Sequence, residues 1–124
     1  MPLKKYGKCI WMDGAMIDPA EATASVMSHV VHYGSGFFEG IRAYKTDKGA
    51  AIFRLDEHMA RLYRSTRMYY VEIPYDCQTL TQAVIDTVKA NGLDSCYIRP
   101  FVFLGTGWSA LMPDSNLPIH TAIS

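Results

Sequence analysis

The apolar residues of this chain keep two rhythms, and the order of those rhythms limits the folds open to it. Up to Arg54 the apolar runs are short and interrupted by turn signals. CIWMDGAMI (residues 9–17) sets two such runs around Asp13-Gly14, a dipeptide favoured in tight type I′ turns. GFFEGIRAY (36–44) and AAIFR (50–54) flank KTDKG, which predicts a second hairpin. At Leu55 the spacing becomes helical. LDEHMARLYRSTRMYY puts Leu55, Met59, Leu62, Thr66 and Tyr69 or Tyr70 on one stripe. A second helix is predicted roughly over TLTQAVIDTVKANG (79–92), with Leu80, Ala83, Val84, Thr87 and Val88 as its apolar face. Thr79 followed by Gln82 fits a capping box, and Gly92 fits a left-handed cap at the end. CYIRPFVFLG (96–105) returns to extended spacing, with Pro100 indicating an edge or a bulge, and PIHTAIS (118–124) begins another strand. Hairpins, then helices, then strand predict an α+β fold. The expected architecture is an antiparallel sheet built from hairpins, with two helices packed on one side.

The chain has 124 residues, enough for one small domain with one core, and 49% of them are hydrophobic. Twelve basic residues balance twelve acidic ones, so nothing points to nucleic acid or to a strongly charged partner. No run approaches the ~18 apolar residues of a membrane span, and MPLKKYGKC lacks the apolar stretch of a secretory signal. Cys9, Cys77 and Cys96 are odd in number and form no CxxC, so reduced thiols in a cytoplasmic protein are expected. His29 and His32 form the one close histidine pair. No cysteine and only one carboxylate lies near it, so polar packing is expected rather than a metal site. Residues 18–28 read as a loop, and so does GTGWSALMPDSNLP (105–118), of a length usually associated with function or mobility. The chain stops inside an apolar strand with no turn or polar tail. That predicts a truncation or one piece of a longer polypeptide.

Three stretches carry chemistry. In GFFEGIRAY, alternation puts Phe38, Gly40, Arg42 and Tyr44 on one face and Phe37, Glu39, Ile41 and Ala43 on the other. Gly40 then leaves a notch between an aromatic wall and a cation, a floor suited to a small anion with an apolar part. The same residues also suit a bulge glycine with Glu39 and Arg42 exposed or paired with each other. In CYIRPFVF, Tyr97 and Arg99 share a face. A phenol beside a guanidinium suits carboxylate recognition, and equally a sheet-edge arginine with tyrosine packed against it. Arg61 lies on the flank of the helical stripe. From there it can reach a phosphate over the domain edge or pair with Glu57 four residues earlier.

Taken together, HVVHYGSGFFEGIRAY, FRLDEHMARLYRS and YIRPFVFLG resemble, in order and spacing, the small N-terminal domain of branched-chain amino acid aminotransferases. These are pyridoxal-phosphate enzymes of fold type IV, and the resemblance runs from about residue 9 to residue 124. It implies an enzyme that moves the amino group of Leu, Ile or Val to 2-oxoglutarate. Arg61 matches the arginine that binds the cofactor phosphate. Phe38 and Gly40 match positions lining the side-chain pocket, with Arg42 on the same face near the cofactor. Tyr97 matches a tyrosine that helps hold the substrate carboxylate, and Arg99 the residue that receives the distal carboxylate of glutamate. Tyr33 and Leu111 match residues lent to the pocket of a neighbouring subunit, which implies a homo-oligomer, either a dimer or a hexamer.

The departure concerns a lysine. The family forms a Schiff base between pyridoxal phosphate and a lysine of the large C-terminal domain. None of Lys4, Lys5, Lys8, Lys45, Lys48 and Lys89 stands at a matching position. The resemblance therefore implies that residues 1–124 are a small domain without the catalytic lysine, inactive alone. The sibling alternatives are fragments of a D-amino acid aminotransferase or an aminodeoxychorismate lyase, against which Tyr97 and Arg99 argue. The alternative of another class is a non-catalytic oligomerisation or ligand-binding domain.

Overall fold

A computed structural model describes residues 7–107, 111, 113 and 116–124. The chain runs β1 (Ile10–Met12), β2 (Ala15–Ile17), α1 (His29–Tyr33), β3 (Gly36–Phe38), β4 (Ile41–Thr46), β5 (Gly49–Ile52), α2 (Leu55–Arg67), α3 (Cys77–Asn91), β6 (Cys96–Ile98), β7 (Pro100–Leu104) and β8 (Ile119–Ile123). The α+β class and the antiparallel pairing are as expected, but the strands form two sheets. One is ordered β2-β1-β8-β7-β3 and the other β5-β4-β6.

The division comes from two segments that each read as one strand in the sequence. GFFEGIRAY is split at Glu39-Gly40: β3 pairs with β7 in the larger sheet, and β4 pairs with β5 and β6 in the smaller. CYIRPFVFL is split at Arg99 in the same way, into β6 and β7. The two joints lie against each other, since the Glu39 amide donates to the Pro100 carbonyl at 3.0 Å. Pro100 is not at a sheet edge. It is the first residue of β7, a strand flanked on both sides, where a missing N–H is tolerated. Arg99 is tied by its backbone to Ser124, through bonds of 2.7 and 3.1 Å.

The first hairpin follows its turn signal. Asp13 (φ 48°) and Gly14 (φ 98°) both lie in the left-handed region that a type I′ turn needs, and Met12 pairs with Ala15 across them. One core joins both sheets and the two long helices. Met59 and Leu62 of α2 and Leu80 and Val84 of α3 meet Ile41 and Ile98 of one sheet and Val102 and Ile123 of the other. The predicted stripe of α3 is buried as expected.

Helix ends differ from expectation. The first long helix stops at Arg67, so Tyr69 and Tyr70 leave the stripe. Tyr70 turns to φ 57° and stands almost fully exposed, while the Tyr69 ring tilts onto Phe37 at 5.4 Å. The next helix starts at Cys77, because Asp76 is its cap: the Asp76 carboxylate accepts the Thr79 amide at 2.7 Å. Gln82 bonds Asp86 instead of closing a capping box. We therefore expect Asp76→Ala to lower the midpoint of thermal unfolding by a few degrees, and Thr79→Ala to leave it nearly unchanged. Gly92 caps the far end at φ 64°, as predicted. The short α1 was not legible as a helix. Among the described residues, no helix is long and apolar enough to cross a membrane.

Candidate functional site

The two joints bring Phe38, Gly40, Tyr97 and Arg99 together. The Arg99 guanidinium lies 4.1 Å from the centre of the Phe38 ring, and its Nη2 donates to the Tyr97 hydroxyl at 2.7 Å. A Cβ on Gly40 would sit 2.5 Å from that hydroxyl, so the present position of the Tyr97 ring depends on a glycine here, through close approach rather than an unusual φ. Arg42 pairs in register with Tyr97, and its side chain is exposed, as are Phe38, Gly40 and Tyr44. The opposite side of the stretch is covered: Glu39, Ile41 and Ala43 are buried and Phe37 is half-buried. The alternation expected from the sequence thus holds through the joint.

This cluster has a distinct chemical character. An aromatic face is open to solvent, a cation is stacked on it, and a phenol is polarised by that cation. Arg99 Nε is buried and has no hydrogen-bond acceptor among the described residues. A ligand bearing both a carboxylate and an apolar group matches this set of surfaces.

Behind the wall lies an ionic cluster. Glu39 is only 4% exposed, yet it is a carboxylate on an otherwise apolar strand face. Arg61 grips it side-on, with Nε to Oε1 and Nη2 to Oε2 both at 2.6 Å. His58, one turn earlier on the same helix, places Nδ1 2.9 Å from Oε2. Neither pairing left open by the sequence is formed: Glu57 joins Arg54 at 3.0 Å, and Arg61 and Glu39 join each other. Burial alone would raise the Glu39 pKa. The hydrogen bonds and charge from Arg61 and His58 outweigh it and hold the carboxyl below its ordinary value of 4.5. A carboxyl depressed on folding stabilises the protein above that ordinary value, and the contribution fades as pH falls through the folded pKa. Glu39→Gln is therefore expected to destabilise the protein at pH 7 and progressively less below about pH 4, read from unfolding midpoints across that range.

Tyr33 and Leu111 gather around His29. This buried ring sits 4.7 Å from the Tyr33 ring, places Nδ1 2.7 Å from Ser35 Oγ, and places Nε2 2.9 Å from the Leu111 carbonyl. A carbonyl only accepts, so Nε2 carries a proton. His32 bonds the Val26 carbonyl at 2.9 Å. Both histidines thus serve packing contacts. Tyr33 and Leu111 are themselves exposed. Part of the 105–118 loop, like Lys4 and Lys5, falls outside the described residues. Of the other lysines, Lys45 pairs with Asp94 at 3.5 Å, Lys48 lies in the β4–β5 turn, and Lys89 is in the last turn of α3.

Sequence reasoning left Glu39 exposed or paired with Arg42 and assigned His58 no role, so it missed the buried cluster that these two form with Arg61. The signal for Glu39 was present, because a carboxylate alternating with Phe37, Ile41 and Ala43 needs a cationic partner inside the protein.

Comparisons with known proteins converge. Residues 36–122 match the family model described as amino-transferase class IV. A branched-chain-amino-acid aminotransferase of Pseudomonas aeruginosa is 43% identical over 115 residues, covering 93% of this chain and 37% of that protein. The Escherichia coli (strain K12) protein of the same description is 43% identical over 120 residues, covering 97% of this chain and 39% of its own length. Among solved structures, the T.th. branched-chain amino acid aminotransferase superposes with a TM-score of 0.92 at 44% identity, over 96% of this chain and 40% of that one. That protein has been solved with pyridoxamine 5'-phosphate and with N-(5'-phosphopyridoxyl)-L-glutamate. The chain thus spans about two fifths of the length of these relatives.

Proposed function

The chain belongs to the class IV aminotransferase family, and from that premise we propose that the whole protein is a branched-chain amino acid aminotransferase dependent on pyridoxal 5'-phosphate. It transfers the amino group of Leu, Ile or Val to 2-oxoglutarate. Residues 1–124 form its small N-terminal domain, and a larger domain brings the catalytic lysine. Without that lysine the 124-residue chain does not transaminate.

The observation that carries this reading is Arg99 stacked on Phe38 and bonded to Tyr97. The substrates differ in character: one side chain is apolar and branched, the other ends in a carboxylate. Phe38 and the open notch at Gly40 give the first a wall to pack on. Arg99 gives the second a charge-assisted bond at the same place, and stays hydrated or on Tyr97 when unused. The Tyr97 hydroxyl, polarised by Arg99, donates to the substrate carboxylate. Arg42 adds positive charge on the same exposed face.

The residues present also fit the cofactor. Arg61 is 58% exposed and keeps Nη1 clear of hydrogen bonds among the described residues, so it holds the cofactor phosphate with its outer edge. Bound pyridoxal phosphate supplies the electron sink for chemistry at the substrate Cα and the carrier for the amino group. Tyr33 and Leu111, held around His29 and exposed, complete the pocket of a neighbouring subunit in a homo-oligomer.

Initial-rate transamination by the complete protein tests the reading. Activity with L-leucine, L-isoleucine and L-valine and 2-oxoglutarate is expected, with none for D-alanine. Activity confined to D-amino acids, or absent with every branched-chain donor, sinks it. Gly40→Ala pushes the Tyr97 hydroxyl out of place and is expected to raise KM for the amino donor about tenfold, as overpacking of ~1–3 kcal/mol implies.

A further inference from the structure

We infer that Glu39 and His58 are positioning residues for Arg61: they pin its guanidinium side-on, so that one edge faces the protein and the other faces the cofactor phosphate. This rests on the role proposed above for Arg61. A guanidinium has five N–H donors in a plane. Glu39 takes Nε and one hydrogen of Nη2. Three donors remain, and two of them, one on Nη1 and the second on Nη2, share the terminal edge of the guanidinium, which is turned away from the carboxylate. That edge matches two phosphate oxygens. A free arginine would have to give up rotamer freedom on binding. Here that freedom is already lost.

The alternative is that Arg61 leaves Glu39 when phosphate arrives. The structure argues against it. Glu39 is buried at the joint of two sheets, with its amide bonded to Pro100. Departure of Arg61 would leave its carboxylate inside the protein with His58 as the one side-chain partner remaining among the described residues. Stranding a buried charge is among the costlier changes a folded protein can make. His58 completes the clamp. It is three residues before Arg61 on α2, so both reach Glu39 from one helical face, and its bond to Oε2 fixes the plane of the carboxylate. The carboxylate in turn fixes the plane of the guanidinium.

The test compares pyridoxal phosphate with pyridoxal, which lacks the phosphate. Dissociation constants for both are measured by absorbance titration of the complete apoprotein, so the readout is binding and not turnover. Their ratio reports the phosphate contact, and an unchanged pyridoxal constant shows that the site is folded. Glu39→Gln is expected to shrink the ratio about tenfold or more, with pyridoxal binding unchanged. His58→Gln moves it the same way by less. Arg61→Lys keeps the charge, loses the fork and also shrinks the ratio; should Glu39→Gln not fold, His58→Gln carries the test, and an unchanged ratio there overturns the inference. Glu39→Gln added to Arg61→Ala has no further effect. An unchanged or larger ratio in Glu39→Gln overturns the inference, and a larger one would mark Glu39 as a competitor of the phosphate. If Arg61→Ala itself leaves the ratio unchanged, the phosphate role of Arg61 falls instead.

Discussion

Replacing Arg99 with alanine is expected to lower kcat/KM for glutamate about a hundredfold and for leucine by no more than a few-fold. Truncating one partner of a desolvated, hydrogen-bonded charge pair costs ~2–5 kcal/mol, and the distal carboxylate of glutamate would lose such a partner. Leucine has no distal charge, and in the proposed pocket it would pack on the Phe38 face, which remains. Some loss for leucine follows because Arg99 also orients the Tyr97 hydroxyl, at 2.7 Å, and lies over the Phe38 ring. Arg99→Lys should recover little, since an ammonium cannot both stack on Phe38 and fork a carboxylate. Equal losses for the two substrates would mean that Arg99 supports the joint between β6 and β7 and does not select the substrate.

A change far from solvent should have the other large effect. Leu62 of α2 is fully buried beside Met59, where both sheets and α3 meet. Leu62→Ala is expected to destabilise the protein by ~2–5 kcal/mol, read from denaturant unfolding. The same helix carries His58 and Arg61 next to that contact. Loosening it should weaken cofactor binding as well, although Leu62 touches no ligand. A cost below ~1 kcal/mol would show that the site collapses around the missing side chain.

Elements set by local chemistry were legible in the sequence. Asp13-Gly14 marked its hairpin because few residues accept two consecutive positive φ angles. The stripe of α2 was visible in its spacing, and Gly92 marked the end of α3. What could not be read depends on which strand lies next to which. Nothing in GFFEGIRAY says that its two halves serve different sheets, because the alternation of buried and exposed residues continues through Glu39-Gly40. The cap of α3 went to Asp76 because its carboxylate reaches the Thr79 amide, and the capping-box spacing at Thr79 competed with it on paper.

The site divides in the same way. Tyr97 and Arg99 could be placed on one face, and Phe38 and Gly40 on another strand. That these four form one cluster required β4 to lie beside β6 and β3 beside β7. The partner of Arg61 was open for the same reason: Glu57 was near in sequence, while Glu39 is near only after folding.

In the function proposed, one cluster holds both an apolar side chain and a distal carboxylate, beside a phosphate held by Arg61. The direct measurement is a crystal structure of the complete protein bound to N-(5'-phosphopyridoxyl)-L-glutamate. The expected result is the distal carboxylate on the Arg99 guanidinium, the phosphate on the outer edge of Arg61, and Glu39 still bound to its inner edge. A ligand carboxylate turned away from Arg99, with its phosphate on other residues, would contradict it.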